Sequence, residues 1–247
     1  MTLTYSEYLK LDQLLALQQP LSRPVEHDEL LFIVMHQVHE LWFKLLLHEL
    51  EKVCRDFHAG DLYGAIATFK RGRTILKTLV GQVDILETLT PLSFNSFRAR
   101  LETSSGFQSV QFRELEFLLG YKRPEVLRYQ QHDPKALAVL KRRLEEESVG
   151  DAFRVFLRGH GVDAADPEVF VEQLLQLYRD RKDLRILFEL MTDFDEGMQE
   201  WRYRHIKIVE RTIGSKQGSG GSPGVEFLKK SLFLPVFPDL WAIRHRF

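Results

Sequence analysis

Apolar positions along the chain recur with a helical spacing. Between Glu26 and about His58 they fall at 31, 35, 38, 42, 45, 46, 50 and 53, the i, i+3, i+4 rhythm of one helix face. Phe32, Val34 and Leu47 add apolar character on other faces, which predicts a helix buried nearly all round. A second long pattern covers Asp61 to Glu87, bounded by Gly60 and the Thr90-Pro91 break. Residues 106–119 and 136–148 read as shorter helices. Asp166-Pro167 reads as an N-cap followed by proline at the first helical position, opening a helix to about Arg179. The last long helix runs from about Lys182 to Thr212, with Gly214 where a C-cap would sit. GSKQGSGGSPG (214–224) is low in complexity; a short helix and the Pro-punctuated tail LFLPVFPDLW follow it. No run alternates cleanly enough to demand a strand, and no internal repeat is visible. The expectation is one all-α domain over residues 1–247, built as a helical bundle.

Composition narrows the class. The 247 residues are 44% hydrophobic and 28% charged, an ordinary supply for a packed core, which excludes disordered and fibrous chains. The 34 basic and 35 acidic residues nearly cancel, without the basic excess or stripe of a nucleic-acid binder. Cys54 stands alone, so an internal disulfide and a Cys-Cys metal spacing are both impossible. The start, MTLTYSEYLKLDQLL, lacks the basic then apolar layout of a secretory signal. The longest apolar runs, such as Leu30 to Met35, fall far short of the ~20 residues that span a bilayer. A cytoplasmic location with no membrane or nucleic-acid partner is expected.

Several ready-made chemistries are absent. There is no His-Glu-x-x-His zinc motif, no Glu-x-x-His of a di-iron carboxylate bundle, and no Gly-Lys-Ser/Thr of a phosphate loop. Gly220-Gly221-Ser222-Pro223-Gly224 matches the nucleophile-elbow pattern, but a helix rather than a strand precedes it. The residue after its serine is Pro223, which has no N–H to offer an oxyanion. Two histidines remain. His205 lies on the apolar stripe Leu187, Met191, Phe194, Met198, Trp201, Ile208 and Thr212, and His36 follows Phe32 by one turn. On spacing alone each is either a core histidine bonded to a carbonyl or a metal ligand approached from one side, as a proximal haem histidine is.

Four blocks carry a family resemblance: Tyr5-Ser6-Glu7-Tyr8-Leu9; HDELLFIVMHQVHELWFKLLLHELE (27–51); TPLSFNSFRARLETSSGFQSVQFRELE (90–116); and WRYRHIKIVERTIGSKQGSGGSPGVEFLKKSL (201–232), followed by FPDLWAIR. The chain resembles the tryptophan 2,3-dioxygenases, haem enzymes that open the indole C2–C3 bond of L-tryptophan with O2 to give N-formylkynurenine. The resemblance implies haem b between long helices, one iron per subunit and ferrous when active. His205, in its Trp201-x-x-x-His context, matches the iron ligand, and His36 matches the histidine that bonds the indole N–H. Phe32 and Phe94 match aromatic pocket positions. Arg98 matches the arginine that clasps the substrate carboxylate, a task suited to a guanidinium fork. Ser105 matches a serine near the haem.

Further positions follow from the same resemblance. Ser219 stands where the family has a threonine contacting the amino acid, with Gly218 and Gly220 giving that loop freedom to close. Tyr5, Tyr8 and Leu9 match residues lent to a neighbouring subunit's pocket, which implies a homotetramer. Besides Ser219, His39 and Met35 depart from the family's usual residues beside His36. Two other readings stay open: a member acting on a modified tryptophan or inserting a single oxygen into the indole, and a helical haem carrier without turnover. Product mass separates the first pair, and the pairing of Arg98 with His36 speaks against the carrier.

Overall fold

The computed structural model describes residues 2–216, 218 and 224–247. Short helices α1 (Tyr5–Leu9) and α2 (Leu11–Leu14) precede α3 (His27–Ala59), which turns into α4 (Leu62–Leu86). Then come α5 (Pro91–Arg98), α6 (Val110–Leu118), α7 (Pro134–Glu145), α8 (Val149–Arg158), α9 (Pro167–Asp180), α10 (Lys182–Ile213), α11 (Val225–Lys229) and α12 (Pro238–Ala242). Among the described residues there is no strand, as the periodicity predicts.

Local chemistry sets the helix ends. Gly60 closes α3 at φ +69°, a left-handed turn that costs glycine nothing, and Asp61 then caps α4 by accepting from the Gly64 N–H. Asp166 accepts from the Glu168 and Val169 N–H groups beneath Pro167, as its sequence context predicts.

Helix α4 packs against both α3 and α10, and these three form the central layer. The core runs through the fully buried Leu46, Phe57, Phe69, Leu76, Leu79 and Phe194. Two glycines bring α4 and α10 close. A Cβ on Gly72 would meet Phe194 at 3.2 Å, and one on Gly197 would meet Leu76 at 3.3 Å. The α10 stripe Leu187, Met191, Phe194, Met198 and Trp201 is buried along its length. Its burial fixes the rotation of α10 and hence the direction in which His205 projects.

Two buried charges on α10 hold the C-terminal tail. Asp195, with no exposed surface, accepts from the Phe237 N–H and the Trp241 indole N–H, each at 2.9 Å. Arg202 donates through Nη1 to the carbonyls of Ser231 and Leu234.

Three sequence expectations need correction. Helix α3 is not buried nearly all round: Leu30, Val34 and Leu41 on its N-terminal half are exposed, and from Phe43 onward one face is buried while Lys44, His48, Arg55 and His58 stay exposed. By length and composition alone α3 could cross a bilayer, and little of its most apolar stretch is buried within the chain. Residues 106–119 are not one helix. A 3-10 turn at Gly106–Gln108 gives way to α6, because Ser109 is extended and caps Phe112. Helices α5 and α12 fall where sequence reading has a break and a Pro-punctuated tail, and α8 falls where it places no element. In α5 and α12 proline is the first helical residue, and it starts those helices rather than ending anything.

Candidate active site

A cavity of about 250 Å³ opens between α3, α5 and α10. That is room for on the order of twenty waters, so the space fits a large ligand better than a lone ion. One wall is α3, through Phe32, Met35, His36, His39 and Phe43; the opposite wall is α10, through Trp201, His205, Ile208 and Thr212. The end is closed by Phe94 and Arg98 of α5 and by Ser105. Most of the exposed lining is apolar, and the polar groups are few and placed.

The α3 wall presents two imidazoles in the same tautomer. His36 Nδ1 lies 2.7 Å from the Phe32 carbonyl, and His39 Nδ1 lies 2.8 Å from the Met35 carbonyl, each one turn back. A carbonyl only accepts, so each Nδ1 carries the proton and each Nε2 keeps a lone pair. Burial pushes both histidines below their ordinary value, against the raising effect of those carbonyls. The Phe32 ring lies against His36 at 4.1 Å, tilted by 39°, and meets Phe94 at 5.7 Å and Phe97 at 5.6 Å, while the Arg98 guanidinium stands 5.9 Å from the Phe94 ring. A flat apolar slot therefore has an acceptor on its side and a cation at its end.

His205 behaves differently. It has no hydrogen-bond partner among the described residues and lies parallel to the Trp201 ring at 5.2 Å and 8°. Burial, helped by His39, His36 and Arg113, pushes it down to about 4. The imidazole is thus neutral, unpartnered and open on the cavity side, which is the state a metal ligand needs. The carbonyl-bonded histidine that spacing alone left open describes His36 and His39. Among the described residues no three His, Cys, Asp or Glu side chains gather to chelate a bare ion.

Of the residues singled out from sequence, Phe32, His36, Phe94, Arg98, Ser105, Trp201 and His205 all border this one cavity. Tyr5, Tyr8 and Leu9 do not; they lie exposed on α1. Ser219 and Gly220 fall outside the described residues, while Gly218 and Gly224 on either side border the cavity. Sequence reading passes over Arg113, which lines the cavity close to His205. Nothing in its local context, Gln111-Phe112-Arg113, separates it from a solvated surface cation.

Known proteins match the chain over nearly its whole length. The family model described as tryptophan 2,3-dioxygenase matches residues 1–152 and 170–246. A tryptophan 2,3-dioxygenase of Herpetosiphon aurantiacus is 50% identical, aligned over 98% of this chain and 97% of that protein. One from Anaeromyxobacter dehalogenans is 47% identical over 98% of this chain and 95% of its own length.

Proposed function

The chain belongs to the tryptophan 2,3-dioxygenase family and is an oxidoreductase that opens the indole ring of L-tryptophan with O2, and from that premise we propose that haem b sits between α3 and α10 with His205 as its protein ligand. One observation carries the assignment: His205 is a desolvated, neutral imidazole without a partner, set across a large apolar cavity from His36. When bound, the haem, with one ferrous iron per subunit, supplies the activation of O2.

The chain's own residues orient the substrate. Phe32 and Phe94 flank the indole, excluding water from its ring. Nε2 of His36 accepts the indole N–H, because Nδ1 is committed to the Phe32 carbonyl. Arg98 pairs with the carboxylate, and the Ser219 hydroxyl, with Gly220 beside it, completes the contacts to the amino acid. Trp201 holds the plane of His205, and Ser105 borders the cofactor. Holding the indole and O2 together in a dry site removes most of the entropic part of the barrier. The mono-oxygenase alternative receives no support from the two relatives named above, both 2,3-dioxygenases.

We propose further that residues 1–247 form one domain and that the enzyme works in the cytoplasm as a homotetramer. The exposed Tyr5, Tyr8 and Leu9 of α1 then cover a neighbouring subunit's pocket; their exposure here supports that reading. Light scattering behind a sizing column tests the assembly. The reaction is tested by loading the protein with haem, reducing it, and mixing it aerobically with L-tryptophan. The expected product is N-formylkynurenine, heavier than tryptophan by two oxygen atoms. A gain of one oxygen would move the reading to indole mono-oxygenation, and a protein that takes up no haem would overturn His205 as ligand.

A further inference from the structure

A cluster of buried arginines lies behind the His205 wall. Arg113 on α6 is 4% exposed, with its guanidinium 5.0 Å from the centre of the Phe112 ring and 5.7 Å from that of Phe107. It donates through Nη1 to Glu116, but its Nε has no partner. Arg123 donates through Nη2 to both oxygens of the same Glu116, each at 2.8 Å. One carboxylate therefore serves two guanidinium groups. A third, Arg202, feels Glu116 and Asp195 through space while its own donor is spent on the carbonyls of Ser231 and Leu234.

The charges do not balance. Arg113, Arg123 and Arg202 face Glu116 and Asp195, which leaves one buried positive charge in excess. Asp195 is, moreover, already occupied by Phe237 and Trp241. Burial pushes Arg113 below the usual guanidinium range, against the pull of Glu116. An uncompensated cation in a low-dielectric interior is costly, and an anion relieves it. The three arginines and Glu116 surround a small space of about 20 Å³, room for little more than one water. Of the three arginines, only Arg113 also borders the large cavity, on the side of Phe112, Trp201 and His205. Arg98, the proposed partner of the substrate carboxylate, stands beside Phe94 at the other end.

We propose that Arg113 binds a carboxylate of the tetrapyrrole, a haem propionate, and that Glu116 and Arg123 hold its guanidinium in place for that purpose. The inference rests on the haem reading above and adds to it the site that anchors the macrocycle's edge. A guanidinium fork suits a carboxylate better than an ammonium does, and its unpartnered Nε is one of the two donors such a pairing uses. The residues around it are apolar or already committed, so the carboxylate's charge would be met chiefly by Arg113.

The test compares haem with its dimethyl ester, in which both propionates are neutral, in the full chain. Binding is followed by the Soret band, which also reports ligation by His205. The wild type is expected to bind haem at least about tenfold more tightly than the ester. Arg113→Met should abolish that preference and leave ester affinity nearly unchanged; Arg113→Lys should shrink it by several fold. Equal binding of acid and ester by the wild type overturns the proposal, as does an undiminished preference in Arg113→Met. If circular dichroism shows that the methionine variant does not fold, an undiminished preference in Arg113→Lys overturns it instead. A wild-type protein that binds neither compound overturns the haem reading itself, and this inference with it.

Discussion

Arg98 and His36 do different work, and their variants should fail differently. Arg98 sits at the end of an apolar slot, where a charge-assisted pair with a carboxylate is worth most. Arg98→Ala is expected to weaken tryptophan binding by about 3 kcal/mol, roughly a hundredfold in Kd, with the haem spectrum retained. Titration of the loaded protein with tryptophan measures it, and unchanged affinity would remove Arg98 from the site. His36 acts through a lone pair, which exists only while the ring is neutral. Because burial lowers its pKa from 6.5, the neutral form persists to the acid side of that value. The acid limb of kcat/KM assigned to His36 should therefore lie below pH 6.5. His36→Ala should penalise tryptophan more than 1-methyltryptophan, which has no N–H to donate; equal losses would refute the hydrogen bond. Arg98 and His36 were legible because the resemblance gives their motif positions a role. Arg113 lies inside the same 90–116 block as Arg98 but carries no such role there, and an arginine's burial is decided by helices far away in sequence.

Helix by helix, periodicity was a good guide where burial is one-sided and sustained, as along α4 and α10. It failed where a short element opens on a proline, capped by Thr90 in α5 and without a side-chain cap in α12, because a few residues hold too little pattern to register. The tail's attachment to α10 was likewise invisible, since a buried aspartate reads as a surface charge until its donors are known. Asp195→Ala leaves the Phe237 N–H and the Trp241 indole N–H buried and unpaired. The expected loss is about 2–4 kcal/mol of stability, with the segment after Leu234 becoming the first site of proteolysis. Thermal unfolding and limited digestion measure the two effects. A melting temperature within a degree of wild type would mean that the tail contributes little to the fold.

For the whole molecule, the three cavity histidines dictate how stability of the haem-free chain varies with pH. His36, His39 and His205 are all shifted downward by burial, the last to about 4. Below about pH 6.5 the unfolded chain takes up protons that the folded chain refuses, so stability falls as pH falls. For His39 and His205, which are less exposed than His36, the slope is up to about 1.4 kcal/mol per pH unit each. Denaturant unfolding at pH 7.5 and pH 5.5 should give a lower midpoint at the acid value, and the gap should narrow in His205→Phe. Equal midpoints would mean that the imidazoles are solvated. The sequence pattern implied a central helix covered on every side, whereas half of α3 keeps exposed leucines and valine that its own chain does not cover. Amphipathic pattern reports how much apolar surface a helix carries, not whether its own chain or a neighbour will cover it.

The flat contact between Trp201 and His205 also makes the chain an optical reporter of its own loading. Its three tryptophans emit in the near ultraviolet, and Trp201 rests directly on the ring assigned to the metal. A haem held there would drain the excited state of that indole by energy transfer before it could emit. The emission lost on titration should therefore count occupied sites without a label, and Trp201→Phe should remove the most strongly quenched share.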